Sequence, residues 1–190
     1  KGGVNCDVLV MSATPIPRTM IMTHFGDMDV SIIKNKPKNR KDVKTYSKLD
    51  TKTDELLKFI KKQIKNKNQV FWVCPLIDES KKLDYTAAIK KYNHLLKIFP
   101  RKVGLIHGNL KKDEKDKVLN NFLKKSINIL ISTTVIEVGI DFPDANIIVI
   151  ENSNKFGLSQ LHQLRGRVGR GDVQSTCILL YKKNLSVNAK

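Results

Sequence analysis

Three of the chain's six arginines lie close together in one glycine-containing stretch. They are Arg165, Arg167 and Arg170, whereas the same 190 residues contain 29 lysines. The arginine guanidinium is a planar fork that keeps its charge and pairs with phosphate at two points, whereas lysine is a mobile point charge. The intervening glycines let the backbone approach a ligand closely. The stretch therefore indicates phosphate chemistry.

Short runs rich in valine and isoleucine alternate along the chain with longer amphipathic runs. The short runs have the composition of strands, and the longer ones carry apolar residues at the spacings of three and four that mark one helix face. Strands separated by helices of this length predict an α/β fold, a parallel sheet with helices on both faces. The predicted strands span residues 8–11, 30–33, 43–46, 70–74, 103–106, 127–132, 147–150 and 176–181, and the predicted helices span 54–65, 86–99, 112–123 and 158–168.

Two loops of the predicted sheet carry polar or charged residues. Thr133 and Thr134 follow one predicted strand, and the arginine stretch continues past Val168 into a loop. Ligands of open α/β sheets bind at the carboxyl ends of the strands. We expect both loops to fall at that edge.

A polar, highly charged stretch at residues 34–41 divides the chain. It lacks apolar periodicity and is interrupted by Pro37, which is typical of a solvated linker. The few elements before it cannot bury a core by themselves. We therefore expect residues 1–34 to be the tail of another domain and residues 35–190 to form a domain of their own.

The formal net charge of +17 at pH 7 favours a polyanionic partner such as nucleic acid. The abundance of lysine, asparagine and isoleucine can also arise from genome composition alone, so the charge is mild support. The hydrophobic content of 41% predicts a folded chain. No apolar run reaches the roughly 18 residues of a membrane span, and we expect a cytoplasmic protein.

The three cysteines, Cys6, Cys74 and Cys177, are far apart in the sequence, and each lies in an apolar, strand-like run. This placement is typical of reduced core residues in a cytosolic protein. We expect neither a disulfide nor a metal site from them.

The arginine stretch contains the pattern Gln163-x-x-Gly166-Arg167-x-Gly169-Arg170, which resembles the arginine-finger motif of superfamily 2 helicases and translocases. The resemblance implies that Arg167 and Arg170 are catalytic and reach the γ-phosphate of an ATP held by another lobe. Gln163 would steer the nucleotide or simply pack. The alternative is a solvated basic loop or a phosphate-backbone contact without a catalytic part, and for Arg165 both readings stay open.

A second motif of these helicases is similar to residues 132–143. The resemblance implies that Thr133 and Thr134 contact the phosphate backbone of one strand, that Gly139 permits close approach, and that Asp141 binds the ATP ribose. The threonines could instead cap a helix, and Asp141 could be a turn residue before Pro143.

Two shorter matches add candidate nucleic-acid contacts. Ser12 and Thr14 lie in a Ser-Ala-Thr motif that in this superfamily links the ATP site to the nucleic-acid site. His107 and Gly108 follow the predicted strand 103–106, where relatives touch the nucleic-acid backbone. A histidine in that place is as often structural.

The sequences of three segments together resemble the RecG family of bacterial branch-migrating DNA helicases. These segments are residues 26–31, 72–80 and 156–167. The alternative within this superfamily is the motor lobe of the transcription-repair coupling factor Mfd, which shares the last stretch but not the Cys-Pro-Leu-Ile pattern at residues 74–77. The resemblance implies a RecA-like C-terminal lobe, residues 1–34 as the tail of the first lobe, and branched DNA, as forks and Holliday junctions, as the partner in recombination and repair. Residues 36–40 depart from the family's Pro-Pro-Gly-Arg turn, although Arg40 is kept.

The sequence contains neither a G-x-x-x-x-G-K-[ST] phosphate loop nor an Asp-Glu pair ahead of Ser12. We therefore expect a piece of a larger bacterial, nucleoid-associated protein, whose first lobe would hold most of the ATP and Mg²⁺ and whose wedge domain would grip the fork. The piece alone is expected to be inactive. The alternative is a non-catalytic nucleic-acid-binding α/β module.

Overall fold

The fold is described from a computed structural model. It describes Leu9, Met11 and residues 29–33, 41–75, 81–133, 145–169 and 173–183, with the backbone alone for 81–85. The chain divides into two compact units, Lys1–Lys36 and Pro37–Lys190. The assignment of residues 1–34 to a different lobe stays a prediction.

A six-stranded sheet organises the second unit, in the order β1-β6-β5-β2-β4-β3 with every pairing parallel. Short 3-10 turns at Asp50–Lys52 and Ser153–Lys155 complete the elements. The strands are β1 (Lys44–Leu49), β2 (Gln69–Cys74), β3 (Val103–Ile106), β4 (Ile129–Thr133), β5 (Ala145–Ile150) and β6 (Thr176–Tyr181), and the helices are α1 (Thr53–Lys65), α2 (Lys81–Ile98), α3 (Lys112–Leu123) and α4 (Leu158–Arg165).

Strand β2 shows how the two sides of the sheet are filled. Because side chains alternate along a strand, Trp72 packs on one side with Leu56 of α1 and Leu95 of α2. Phe71 packs on the other side with Phe122 of α3, their ring centroids 5.3 Å apart. The helices therefore cover both sides, and the predicted α/β fold is confirmed.

Within the second unit every predicted strand and helix is present, with the predicted bounds for β3, α3 and β6 and with shifted ends for the others. Helix α2 begins at Lys81, five residues before the prediction, because the charged residues at its start carry no apolar period. Helix α4 ends at Arg165, three residues early, because Gly166 caps it. Apolar periodicity does not define where a helix begins when its first turn is polar, or where it ends when a glycine caps it.

The predicted strand at 30–33 is wrong. Residues 29–33 have no regular structure, and Ile33 is 94% exposed. Leu9 and Met11 of the predicted strand 8–11 are likewise exposed and irregular, and its other residues lie outside the described part. A β-rich run becomes a strand only when another strand pairs with it.

Cys74 and Cys177 are buried free thiols, as expected, and Cys6 lies outside the described residues. Burial raises the pKa of both thiols, that of Cys177 to about 11. The described helices include none with the length and apolar character of a membrane span. The described residues contain no group of His, Cys, Asp or Glu side chains that could hold a metal ion.

Candidate functional site

The carboxyl ends of β3 and β4 bring three of the predicted nucleic-acid contacts to one edge of the sheet. Ile106 pairs with Ser132 in the β3–β4 register, so His107 and Thr133 come next on neighbouring strands. Gly108 follows directly. Thr134 lies outside the described residues.

Residues 107–110 form a turn between β3 and α3. The Leu110 N–H donates to the His107 carbonyl oxygen at 3.2 Å, and Gly108 and Asn109 are exposed at its tip. Gly108 does not have a positive φ, and a Cβ built on it would meet nothing within 4 Å. No contact inside the described chain therefore requires a glycine here, and the open space is accessible to a ligand backbone.

His107 is poorly suited to carry charge. Burial lowers its pKa, Glu114 opposes this and Lys115 adds to it. The imidazole is therefore neutral at pH 7, and its contribution to phosphate binding would be a hydrogen bond rather than an ion pair.

Thr133 is only 7% exposed at the end of β4. The neighbouring Ser132 hydroxyl is buried and donates to the Thr133 carbonyl oxygen at 3.0 Å. This local bond holds the strand end in place, and Thr133 is the more exposed of these two largely buried residues.

The arginine stretch begins with the exposed end of α4. The Gln160 side-chain oxygen accepts a hydrogen bond from the Gly157 N–H at 3.1 Å, which caps the helix. Leu161 and Leu164 pack against the core, whereas Gln163 faces solvent one turn before Arg167. The helix thus separates the packing residues from those that could touch a nucleotide.

Arg167 is held from both sides. On one side the Gly166 N–H donates to the His162 carbonyl oxygen at 3.1 Å, and the Arg167 N–H donates to that of Leu164 at 3.0 Å. On the other side Val168 is fully buried. The backbone of Arg167 is therefore fixed while its side chain stays partly exposed.

The backbone at position 169 requires a glycine. Its φ is +81°, and a Cβ would lie 3.0 Å from Val43 Cγ2 and 3.4 Å from the Ser175 side chain. Any other residue would be strained in the left-handed region and would also crowd Val43.

The same contacts correct the expected placement of this loop. Val43 and Ser175 immediately precede β1 and β6, so Gly169, which contacts both, lies at the amino ends of these two strands. The prediction that the loop after Val168 starts at the carboxyl ends is therefore wrong at Gly169, because α4 runs back along the sheet after β5; residues 170–172 lie outside the described part of the chain. Arg167 and the residues His107, Gly108 and Thr133 therefore lie toward opposite ends of the strands.

A polar cluster at the carboxyl edge was not anticipated from the sequence. Glu151 directly follows β5, and its Oε1 lies 2.5 Å from Lys91 Nζ of α2. The Cys74 thiol donates to Glu151 Oε2 at 3.7 Å, and Lys91 Nζ lies 5.2 Å from the Trp72 ring centroid. The acidic residue after the apolar run 145–150 was the one available signal. The cluster ties α2 to the ends of β2 and β5.

Burial, reinforced by the Glu151 charge, raises the pKa of the Cys74 thiol, which stays protonated. The cluster thus offers no nucleophile. The remaining predicted site residues lie outside the described part of the chain, and their roles stay predictions: Ser12, Thr14, Thr134, Gly139, Asp141 and Arg170.

Comparisons with known proteins agree with the sequence motifs. The helicase conserved C-terminal domain matches residues 51–172. The chain is 53% identical over 180 residues to the ATP-dependent DNA helicase RecG of Bacillus subtilis, covering 94% of the chain and 26% of that protein. The identity is 49% to RecG of Thermotoga maritima, covering 94% of the chain and 23% of that protein.

A solved structure of RecG bound to a three-way DNA junction superposes with a TM-score of 0.78 at 45% identity, covering 96% of this chain and 24% of that one. The chain thus spans about a quarter of the length of the curated relatives that it matches. The resemblance to the RecG family is confirmed, and the parallel sheet is the RecA-like fold expected of a helicase C-terminal lobe. The chain belongs to the family of helicase conserved C-terminal domains.

Proposed function

We propose that the chain is the C-terminal motor lobe of an ATP-dependent DNA helicase or translocase that remodels branched DNA in recombination and repair. The first lobe of the same protein would hold ATP and Mg²⁺, and a wedge domain would grip the fork. Branched DNA, such as stalled forks and Holliday junctions, would be the substrate. This proposal is supported by the identity to RecG over 94% of the chain.

The observation that carries a motor role is the double anchoring of Arg167. A finger that meets charge developing during phosphoryl transfer must not reorganise at that moment, because preorganised groups stabilise transition states most. The capped helix end before Arg167 and the buried Val168 after it supply this rigidity. Arg170 is proposed as the second finger, with Gln163, Gly139 and Asp141 on the nucleotide.

The DNA backbone is proposed to lie along the carboxyl edge. Gly108 leaves space for a phosphate, His107 can share a hydrogen bond with one, and Thr133, which is 7% exposed, ends the neighbouring strand beside them. Ser12, Thr14 and Thr134 would extend this contact. The separation of this edge from Arg167 would place the DNA and the nucleotide on different parts of the lobe.

The test is DNA-stimulated ATP hydrolysis by the chain joined to its upstream lobe, with Arg167→Ala and Arg167→Lys. Because an arginine finger is worth roughly 10³ to 10⁵ in rate, we expect Arg167→Ala to abolish turnover while DNA affinity changes little. Arg167→Lys keeps the charge but loses the two-point fork, and we expect it to restore little activity.

Lys155→Ala is the matched control, since Lys155 is an exposed cation on the preceding 3-10 turn. Its turnover should equal that of the unmodified protein. If Arg167→Ala hydrolyses ATP normally and only binds DNA more weakly, the chain is a nucleic-acid-binding module and the motor proposal is wrong.

A further inference from the structure

Three helix-to-strand connections turn at a basic residue in the left-handed backbone conformation. Lys67 has a φ of 63°, Arg101 of 60° and Lys125 of 59°. The position that ends a helix this way is usually glycine or asparagine, because a Cβ disfavours it. A long cationic side chain thus occupies each of three positions whose backbone conformation favours glycine or asparagine.

The hydrogen bonds define the conformation at two of these places. The Asn68 N–H donates to the Gln63 carbonyl oxygen at 3.1 Å, and the Ser126 N–H donates to that of Asn121 at 2.9 Å. These are the six-to-one bonds of the Schellman motif. The motif therefore requires Lys67 and Lys125 to adopt the left-handed conformation. Glycine at either position would form the same hydrogen bonds.

The three connections lie side by side. They precede β2, β3 and β4, and these strands are neighbours in the sheet in the order β2-β4-β3. Because adjacent strands are about 4.8 Å apart, the three turns lie within roughly 10 Å of one another at the amino edge. Their side chains can therefore meet one ligand.

The twelve connecting residues, 66–68, 99–102 and 124–128, include no aspartate or glutamate. None of Lys67, Arg101 and Lys124 forms an ion pair with another described residue. We call the cations of these connections the amino-edge basic surface. Its five members are all exposed: Lys67, Arg101, Lys102, Lys124 and Lys125.

Two simpler explanations cover only part of this arrangement. Lysine is abundant throughout the chain, but Arg101 is one of only six arginines. The negative end of a helix dipole attracts cations anywhere in its last turn and does not require them in a left-handed position. A polyanion that contacts all three turns would account for both features.

We propose that the amino-edge basic surface binds the phosphate backbone of a second DNA segment. The strands hold their two edges roughly 15 to 20 Å apart, so this segment is distinct from the one proposed at His107 and Gly108. Duplex DNA carries about one charge per 1.7 Å of helix axis, which supplies several phosphates across a surface of this width. The inference rests on the proposed DNA partner, and it gives the lobe contacts with two arms of a branched substrate.

The test uses the full-length protein with the triple substitution K67G/R101G/K125G. Glycine is favoured at all three positions, so this variant loses charge without losing the fold, and its thermal midpoint should be equal or higher. The control is K58Q/K61Q/K62Q, which removes the same charge from exposed positions of α1. Affinity for an unbranched duplex and for a three-way junction is measured from about 50 to about 200 mM salt, the range over which phosphate contacts weaken strongly.

We expect the slope of log K against log salt for the junction to become shallower by about 2 to 3, since each phosphate contact contributes about 0.9. The control should keep the slope of the unmodified protein. Equal slopes in the triple variant and the control would overturn the inference while leaving the proposed function intact. Failure of the unmodified protein to bind DNA at all would overturn both. A triple variant that binds DNA normally but loses an acidic protein partner would assign the surface to that partner instead.

Discussion

Lys91 and Glu151 form an ion pair, with Nζ 2.5 Å from Oε1, that joins the middle of α2 to the residue directly after β5. Their side chains are only 23% and 18% exposed, and the Trp72 ring lies beneath the ammonium group. The pair is therefore much less exposed to solvent than the other described pair, Lys48–Glu55, whose side chains are 35% and 61% exposed.

Removing one partner of the less exposed pair, Lys91–Glu151, should destabilise the fold. We expect Lys91→Ala to lower the free energy of unfolding by roughly 1 to 3 kcal/mol, because it leaves the largely buried Glu151 carboxylate without its counter-ion. Solvent at the partly exposed side chains keeps this loss below that of a fully buried pair. Lys48→Ala is the matched control and should cost well under about 1 kcal/mol. Urea unfolding at pH 7 measures both, and equal losses would contradict the prediction.

His107 should make stability depend on pH. Burial lowers its folded-state pKa below the value of the unfolded chain, so the folded state resists protonation. The unfolded state then binds more protons below about pH 6.5, and the free energy of unfolding decreases as the pH falls from 6.5 through the folded pKa. His107→Gln should remove this component.

The measurement is urea unfolding at several pH values on both sides of about 6.5. The difference between wild type and His107→Gln isolates the histidine from the carboxylates that titrate in both proteins. His94→Gln, at an exposed position of α2, is the control and should retain the wild-type decrease. A constant difference between wild type and His107→Gln across this range would show that the imidazole titrates normally.

Two glycines near β3 should respond oppositely to alanine. A Cβ on Gly104 would collide with Ile127 Cδ1 and stand 2.9 Å from Val118 Cγ1, so Gly104→Ala should destabilise the fold by roughly 1 to 3 kcal/mol. Gly108 has open space, and Gly108→Ala should leave stability within about 0.5 kcal/mol of wild type. If a phosphate approaches Gly108, the same change should weaken DNA binding about tenfold, or about 1.4 kcal/mol.

Thermal unfolding and DNA titration of the two variants separate these effects. A Gly108→Ala variant that folds normally and binds DNA normally would remove Gly108 from the proposed backbone contact.

Gly169 should be needed for the placement of Arg167. Gly169→Ala puts a Cβ in the left-handed region and against Val43, which should cost roughly 1 to 2 kcal/mol of stability. We expect DNA-stimulated ATP hydrolysis to fall even at temperatures where the variant is folded, because the finger loses its anchor.

Gly157→Ala provides the comparison for this variant. Gly157 has an extended backbone, and a Cβ there would meet only the end of the Gln160 side chain, at 3.9 Å. Its stability and turnover should remain close to wild type. Full turnover in folded Gly169→Ala would mean that the turn does not position the arginine.

Most helices and strands could be predicted from the sequence because their signals are local. The valines and aromatic residues of β2 and the three-and-four spacing of α1 each lie within a single element. The failure at 30–33 marks the limit of this reasoning, since an apolar run of the right composition is exposed and irregular when no strand pairs with it.

The sequence by itself determined the chemistry available to this protein, because residue types and short spacings define the arginine stretch and the glycines around it. The tertiary structure alone decided where that chemistry lies. The return of α4 along the sheet placed Arg167 toward the amino ends of the strands, and the strand order brought Lys67, Arg101 and Lys125 together across 58 residues of sequence. Such neighbours depend on pairings between distant segments, and a local pattern carries no record of which strands will pair.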